Sequence, residues 1–116
     1  MTIDMTAEER EQAMDILRTA RDRFSGPNSL CKGTLYRELE DGTVQYCILG
    51  ARTFGIVVPT YHVDLIVAKT LHGALPRRWR GRQVVDFNDD PATTLRMVRL
   101  LLGRALRWLQ VQPVIR

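Results

Sequence analysis

The sequence predicts a mainly α fold, a compact bundle of about four helices with at most a small β-hairpin. Three observations lead there. Apolar residues recur every three or four positions over residues 7–24 and again over 95–109, the signature of two amphipathic helices flanking the chain. The 116 residues, 45% hydrophobic and 26% charged, suit one hydrophobic core and exclude disordered, collagen-like and disulfide-scaffold classes. No internal repeat or Gly/Ser/Pro-rich linker divides the chain, so residues 1–116 read as a single domain, with 1–6 and 111–116 as terminal extensions.

The first helix starts at Ala7, because Thr6 and Glu9 have the spacing of a capping box. Ala13, Ile16, Leu17, Ala20 and Phe24 form its inward stripe, and Gly26-Pro27 is expected to end it with a left-handed glycine. Residues 28–42 read as a short extended stretch or a single helical turn, closed by the turn pair Asp41-Gly42. Val44, Cys47, Ile48 and Ala51 follow an i, i+3, i+4, i+7 pattern, which favours a buried helix over 43–54 ending at Gly55. The alternative is a strand over 43–49 paired across Asp41-Gly42.

After Pro59, Thr60 caps a third helix running to about Leu71, with Val63, Ile66, Val67 and Leu71 inward and Gly73 closing it. Residues 76–81 form a cationic loop and 82–88 a short extended stretch. For the last helix Asp90 is the expected N-cap and Pro91 the first helical residue. Leu95, Val98, Leu102, Ala105, Leu106 and Leu109 make its apolar stripe, and Pro113 stops it. The first and last helices are expected to pack together over the Cys-containing middle.

The net charge of +4 hides an asymmetry. Residues 1–70 hold 8 Lys+Arg against 10 Asp+Glu, a net −2, whereas residues 71–116 hold 9 against 3, a net +6. Lys32 and Lys69 are the only lysines among 17 cations. Such an arginine bias has two sources: bidentate recognition of phosphate or carboxylate, or a GC-rich genome. Two cysteines, Cys31 and Cys47, are too few for a disulfide framework, and no leader precedes the acidic start, so a reduced cytoplasmic setting is expected. The sequence leaves open whether the two lie close together. The longest nearly apolar run, residues 56–68, is broken by Pro59, His62 and Asp64 and is too short to span a membrane.

Three stretches carry a resemblance: Cys31-Lys32-Gly33-Thr34-Leu35 followed by Asp41-Gly42, then Tyr46-Cys47-Ile48-Leu49-Gly50-Ala51, then Phe87-Asn88-Asp89 ahead of the last helix. Together they resemble a family of small proteins, classed as a domain of unknown function, encoded by high-GC actinobacteria and their phages. The resemblance spans roughly residues 12–109, and Leu30 stands where the family typically has Trp. It implies a helical fold and a phage or prophage source, and carries no activity across.

Cys31, His72 and Asn88 occur in the order nucleophile, base, orienter of papain-like enzymes, with Asp86 as a substitute orienter. No local signature supplies a thiolate-favouring site or an oxyanion hole. The plainer reading makes Cys31 and Cys47 small core residues, places His72 at a helix C-terminus and has Asn88 tie a turn to neighbouring backbone. Cys31, Cys47, His62 and His72 lack the close pairs of a structural zinc site. Counted from Asp86 as a calcium loop, Pro91 and Met97 fall where Gly and Glu are needed. No metal or cofactor is therefore expected.

The strongest binding signal is Arg77, Arg78, Arg80 and Arg82 around Trp79, cations combined with an aromatic surface. Arg96, Arg99, Arg104 and Arg107 on the last helix are placed to extend it. The sequence thus leads to a small accessory protein, phage or prophage encoded, that docks a host protein through an exposed Arg/Trp surface. Nucleic acid at the same basic half is the alternative, and a Cys-dependent hydrolase the second alternative.

Overall fold

Thr6 opens the molecule's first helix as a full capping box. Its hydroxyl accepts from the Glu9 N–H at 3.1 Å while the Glu9 carboxylate accepts from the Thr6 N–H at 2.9 Å. The structure, a computed structural model, describes residues 3–115. It contains α1 (Ala7–Asp22), β1 (Tyr36–Glu38), β2 (Val44–Tyr46), α2 (Ile48–Thr53), α3 (Tyr61–Gly73), a 3-10 turn (Arg77–Trp79), α4 (Val84–Asp89) and α5 (Leu95–Gln110). The mainly α fold with a small hairpin is thus as expected, with five helices where about four were foreseen.

The core is built where the periodicity placed it. α1 packs against α5 and α3, and α3 also packs against α5. Leu17, Ala20, Phe24, Val63, Ile66, Val67, Val98, Leu102 and Leu109 are fully buried in it. Each large side chain so buried is worth about 1.5–3 kcal/mol relative to exposure. α2 lies against α1 on one side and α4 on the other, and β2 packs on α2.

Four boundaries differ from the sequence expectation. Gly26 is not the left-handed residue after α1; that conformation falls on Asn28, with φ 61°. The Arg99 side chain holds the carbonyls of Phe24, Ser25 and Gly26, which fixes the chain past the helix end. The segment 43–54 is not one helix. Val44–Tyr46 pairs antiparallel with Tyr36–Glu38, Arg37 opposite Gln45, across the turn in which Gly42 adopts φ 85°. The helix begins only after Cys47, whose Sγ accepts from the Gly50 N–H at 3.3 Å as an N-cap.

Residues 82–88 are not extended; 84–89 form α4, because one helical turn buries Phe87 and Asn88 together. The β-branched pair Val84-Val85 favoured a strand, and tertiary burial overrides that weak preference. Finally, α5 starts at Leu95 under the Thr94 cap, whose hydroxyl accepts from Met97 N–H at 3.2 Å. Asp90 instead closes α4 and accepts from the Ala92 N–H. The Lys32 ammonium, held by the carbonyls of Asp90 and Thr93, keeps this stretch a loop.

The terminal segments are not free extensions. Ile3 and Met5 belong to the core, and the Ile115 N–H donates to the Met5 carbonyl at 2.8 Å.

Candidate binding surface

The connection from α3 to α4 carries the four arginines. Pro76 turns the chain into the 3-10 helix, closed by Trp79 N–H on the Pro76 carbonyl at 2.8 Å, and Gly81 at φ 80° turns it again toward α4. Arg77, Arg78 and Arg80 are exposed, and among the described residues none forms an ion pair or side-chain hydrogen bond. Arg82 is also exposed, its guanidinium 4.2 Å over the Trp79 ring.

Trp79 itself corrects the sequence reading, which expected it exposed. It is 4% exposed and meets Phe87 edge-on at 5.7 Å. Its indole N–H has no partner among the described residues. The sharp 3-10 turn swings the indole inward while the arginines on either side stay in water. It anchors the loop, and of the candidate residues only the arginines are exposed.

Other cations named in the basic half do structural work. Arg99 caps the end of α1, and Arg104 donates to the Ala74 carbonyl at the end of α3. In the acidic half Arg23 does the same for α2, donating to the carbonyls of Ala51 at 3.1 Å and Phe54 at 2.7 Å. Cations at helix C-termini satisfy orphan carbonyls and oppose the helix dipole. Arg96 and Arg107 remain exposed, whereas Arg99 and Arg104 are committed to these carbonyls.

Beside the arginine loop lies a cleft of about 490 Å³ between α2, α3 and the start of α4. Buried Ile48 and Leu71 form its floor, and Leu49 and Val85, 39% and 45% exposed, stand on its edges. Lys69 and His72, one turn apart on α3, supply a polar wall facing Gln83 at the start of α4. Arg52 completes that side, its guanidinium 2.9 Å from Asp64. The arginine loop runs from the His72 end of one wall to the Gln83 end of the other. Sequence reasoning missed this cleft. The available signal was Leu49, an apolar residue off the inward stripe of its own segment.

The residues considered for nucleophilic catalysis are placed differently. Cys31 is buried, and burial first, then the neighbouring Cys47, pushes its thiol pKa up. The Cys31 N–H donates to the Tyr46 carbonyl at 2.9 Å, which brings it alongside Cys47; both are free thiols. Asn88 meets Cys31 only through the main chain: its Nδ2 donates to the Cys31 carbonyl at 3.1 Å and its Oδ1 accepts from the Ile48 N–H at 2.9 Å. His72 is an exposed wall residue of the cleft and bonds to neither Cys31 nor Asn88 among the described residues. The His62 Nε2 donates to the Asp4 carbonyl, 2.7 Å away. Asp86 is exposed on α4.

A family model described as a family of unknown function, DUF6197, matches residues 8–107. The chain belongs to this family. No curated protein and no solved structure matches it. The span shared with the family opens one residue inside α1, contains the starts of α2 to α5, the cleft and the arginine loop, and ends before the C-terminal segment that pairs with Met5. Among the described residues, no helix is long and apolar enough to cross a membrane.

Proposed function

We propose that this member of the family is a non-enzymatic accessory protein that docks a host protein through its arginine loop, in a cytoplasmic setting and from a phage or prophage source. The observation that carries the reading is the loop itself. Arg77, Arg78 and Arg80 project from a turn pinned by buried Trp79, with no carboxylate of this chain engaging them among the described residues. The planar guanidinium fork matches a carboxylate with two parallel hydrogen bonds, which favours an acidic partner surface. The burial of Trp79 also favours protein over nucleic acid, since it withdraws the aromatic face on which a base would stack.

The test is affinity capture from the natural host, with and without nuclease, using the wild type and a triple Arg77→Ala, Arg78→Ala, Arg80→Ala variant. These side chains are exposed, so the variant is expected to keep its melting temperature and to lose a protein that the wild type retains after nuclease. Equal retention by both would overturn the loop's role. Recovery of nucleic acid, with proteins lost on nuclease treatment, would replace this reading by the nucleic-acid one. Trp79 is left intact, because its removal would open a core cavity costing about 3–5 kcal/mol.

A further inference from the structure

We infer that the cleft between α2, α3 and α4 seats an acidic amphipathic helix of the partner protein. The inference rests on the reading above and names the segment the partner contributes. Its volume of about 490 Å³ falls in the range of sites built to receive a ligand. The floor of Ile48 and Leu71 and the exposed edges Leu49 and Val85 ask for apolar side chains.

The walls decide the occupant's backbone. All three are helices, so the cleft offers no strand edge for β-pairing. A chain entering such a groove has to satisfy its own backbone, since an unpaired amide buried there costs free energy. A helix does so, and presents apolar anchors at i, i+3 or i+4, and i+7.

Charge decides the rest. Lys69 and His72 line one wall without a partner among the described residues, and the loop Arg77–Arg80 joins that wall to the other. Among the described residues no carboxylate lines the cleft; Asp64 of α3 is engaged by Arg52, and Asp86 of α4 is exposed directly after the edge residue Val85. A helix with Asp or Glu flanking its apolar stripe therefore matches the rim, and a basic one is repelled.

The experiment is selection of a displayed library of about 16-residue helical peptides, four to five turns long, on the immobilised full chain. Enriched sequences are expected to combine an apolar i, i+3/i+4 stripe with net negative charge. Binding of the best one should weaken about tenfold or more in Leu49→Glu and in Val85→Glu. Because either substitution could disturb the fold, amide shifts of the wild type on adding that peptide provide the second readout, expected on residues 48–52, 68–72 and 83–85.

No enrichment over the bare support, enrichment without acidic bias, or shifts lying elsewhere would overturn the inference. Peptides lost on the Arg77/Arg78/Arg80 variant but indifferent to both cleft substitutions would overturn it and leave the loop reading standing. Peptides lost on the cleft variants and indifferent to the arginines would uphold the cleft and remove the loop.

Discussion

At Gly50 the start of the hairpin lies directly against α2. A β-carbon placed there would lie 1.9 Å from the Leu35 carbonyl oxygen, and that oxygen also accepts the Cys47 N–H at 3.1 Å. It cannot retreat without breaking the bond that sets the hairpin against α2. In an open helix Gly→Ala gains up to about 1 kcal/mol, but Gly50→Ala is expected to destabilise by roughly 1–3 kcal/mol or more. Gly103→Ala provides the contrast, because the atom nearest its β-carbon is the flexible Arg107 guanidinium at 3.4 Å. Urea denaturation of both variants checks this, and a Gly50→Ala protein as stable as wild type would mean that Leu35 does not rest on α2. Asn88 shows a different kind of legibility. Its sequence signal was an amide tying a turn to nearby backbone, and the structure shows the tie reaching Ile48 and Cys31, 40 and 57 residues away. Residue type revealed the capacity for two hydrogen bonds; only the fold supplies such distant partners.

Among the elements, helix starts were legible where one good cap stood alone. Thr6 and Thr60 were read correctly, while the cap expected at Asp90 falls on Thr94, because Lys32 holds the Asp90 and Thr93 carbonyls, a contact the local sequence does not show. Cys47 was missed as a cap because a thiol is a weak acceptor outside the usual capping set. The hairpin was read only as the alternative to a helix over 43–54, and α4 was missed, because periodicity over short apolar runs does not separate strand from helix. The Thr6 cap leads to a pH expectation. The Glu9 carboxylate is held below its ordinary pKa, chiefly by the Thr6 N–H, with the Thr6 hydroxyl and His62 adding to it against partial desolvation. A folded pKa lower than the unfolded one means that the unfolded state binds more protons through that range. The stabilisation is therefore complete above the ordinary glutamate pKa and disappears as pH falls through the lowered folded value. Glu9→Gln keeps an acceptor for the Thr6 N–H without the charge. The stability difference between wild type and Glu9→Gln, followed by urea denaturation from neutral pH down to about pH 3, should shrink on acidification. A difference that stays constant or grows would show that the ionised carboxylate contributes nothing to the cap.

At the scale of the whole molecule, the basic half divides into cations that hold the fold and cations with no hydrogen-bond or ion-pair partner among the described residues. Arg99 and Arg104 close helix ends, as Arg23 does from the acidic half, whereas Arg77, Arg78 and Arg80 stand together at the α3–α4 connection and Arg96 and Arg107 stand apart on α5. Composition displayed the excess charge, but this division depends on which carbonyls the fold leaves exposed, so the arginine loop was legible and the cleft beside it was not. The termini follow the same logic. Arg10 donates to the Gln112 carbonyl at 2.6 Å, Ile115 N–H to the Met5 carbonyl at 2.8 Å, and Val114 packs on the core over which Met5 is fully buried. These contacts use residues outside the span of 8–107 that the chain shares with its family. Ending the chain after Val111 removes the hydrogen bonds to Arg10 and Met5, two local ones from Gln112 to Leu109 and Trp108, and part of one aliphatic side chain from the core, a loss of roughly 2–5 kcal/mol. Urea unfolding of that variant should remain a single transition with a lower midpoint, and the amide protons of residues 3–5 should exchange faster with solvent. The cleft and the arginine loop lie among α2, α3 and α4, away from this pairing, so capture of a partner by the shortened chain below its new midpoint should match the wild type. Loss of capture without loss of stability would place the C-terminal segment within the contact surface, and an unchanged midpoint would mean that Met5 stays covered without it.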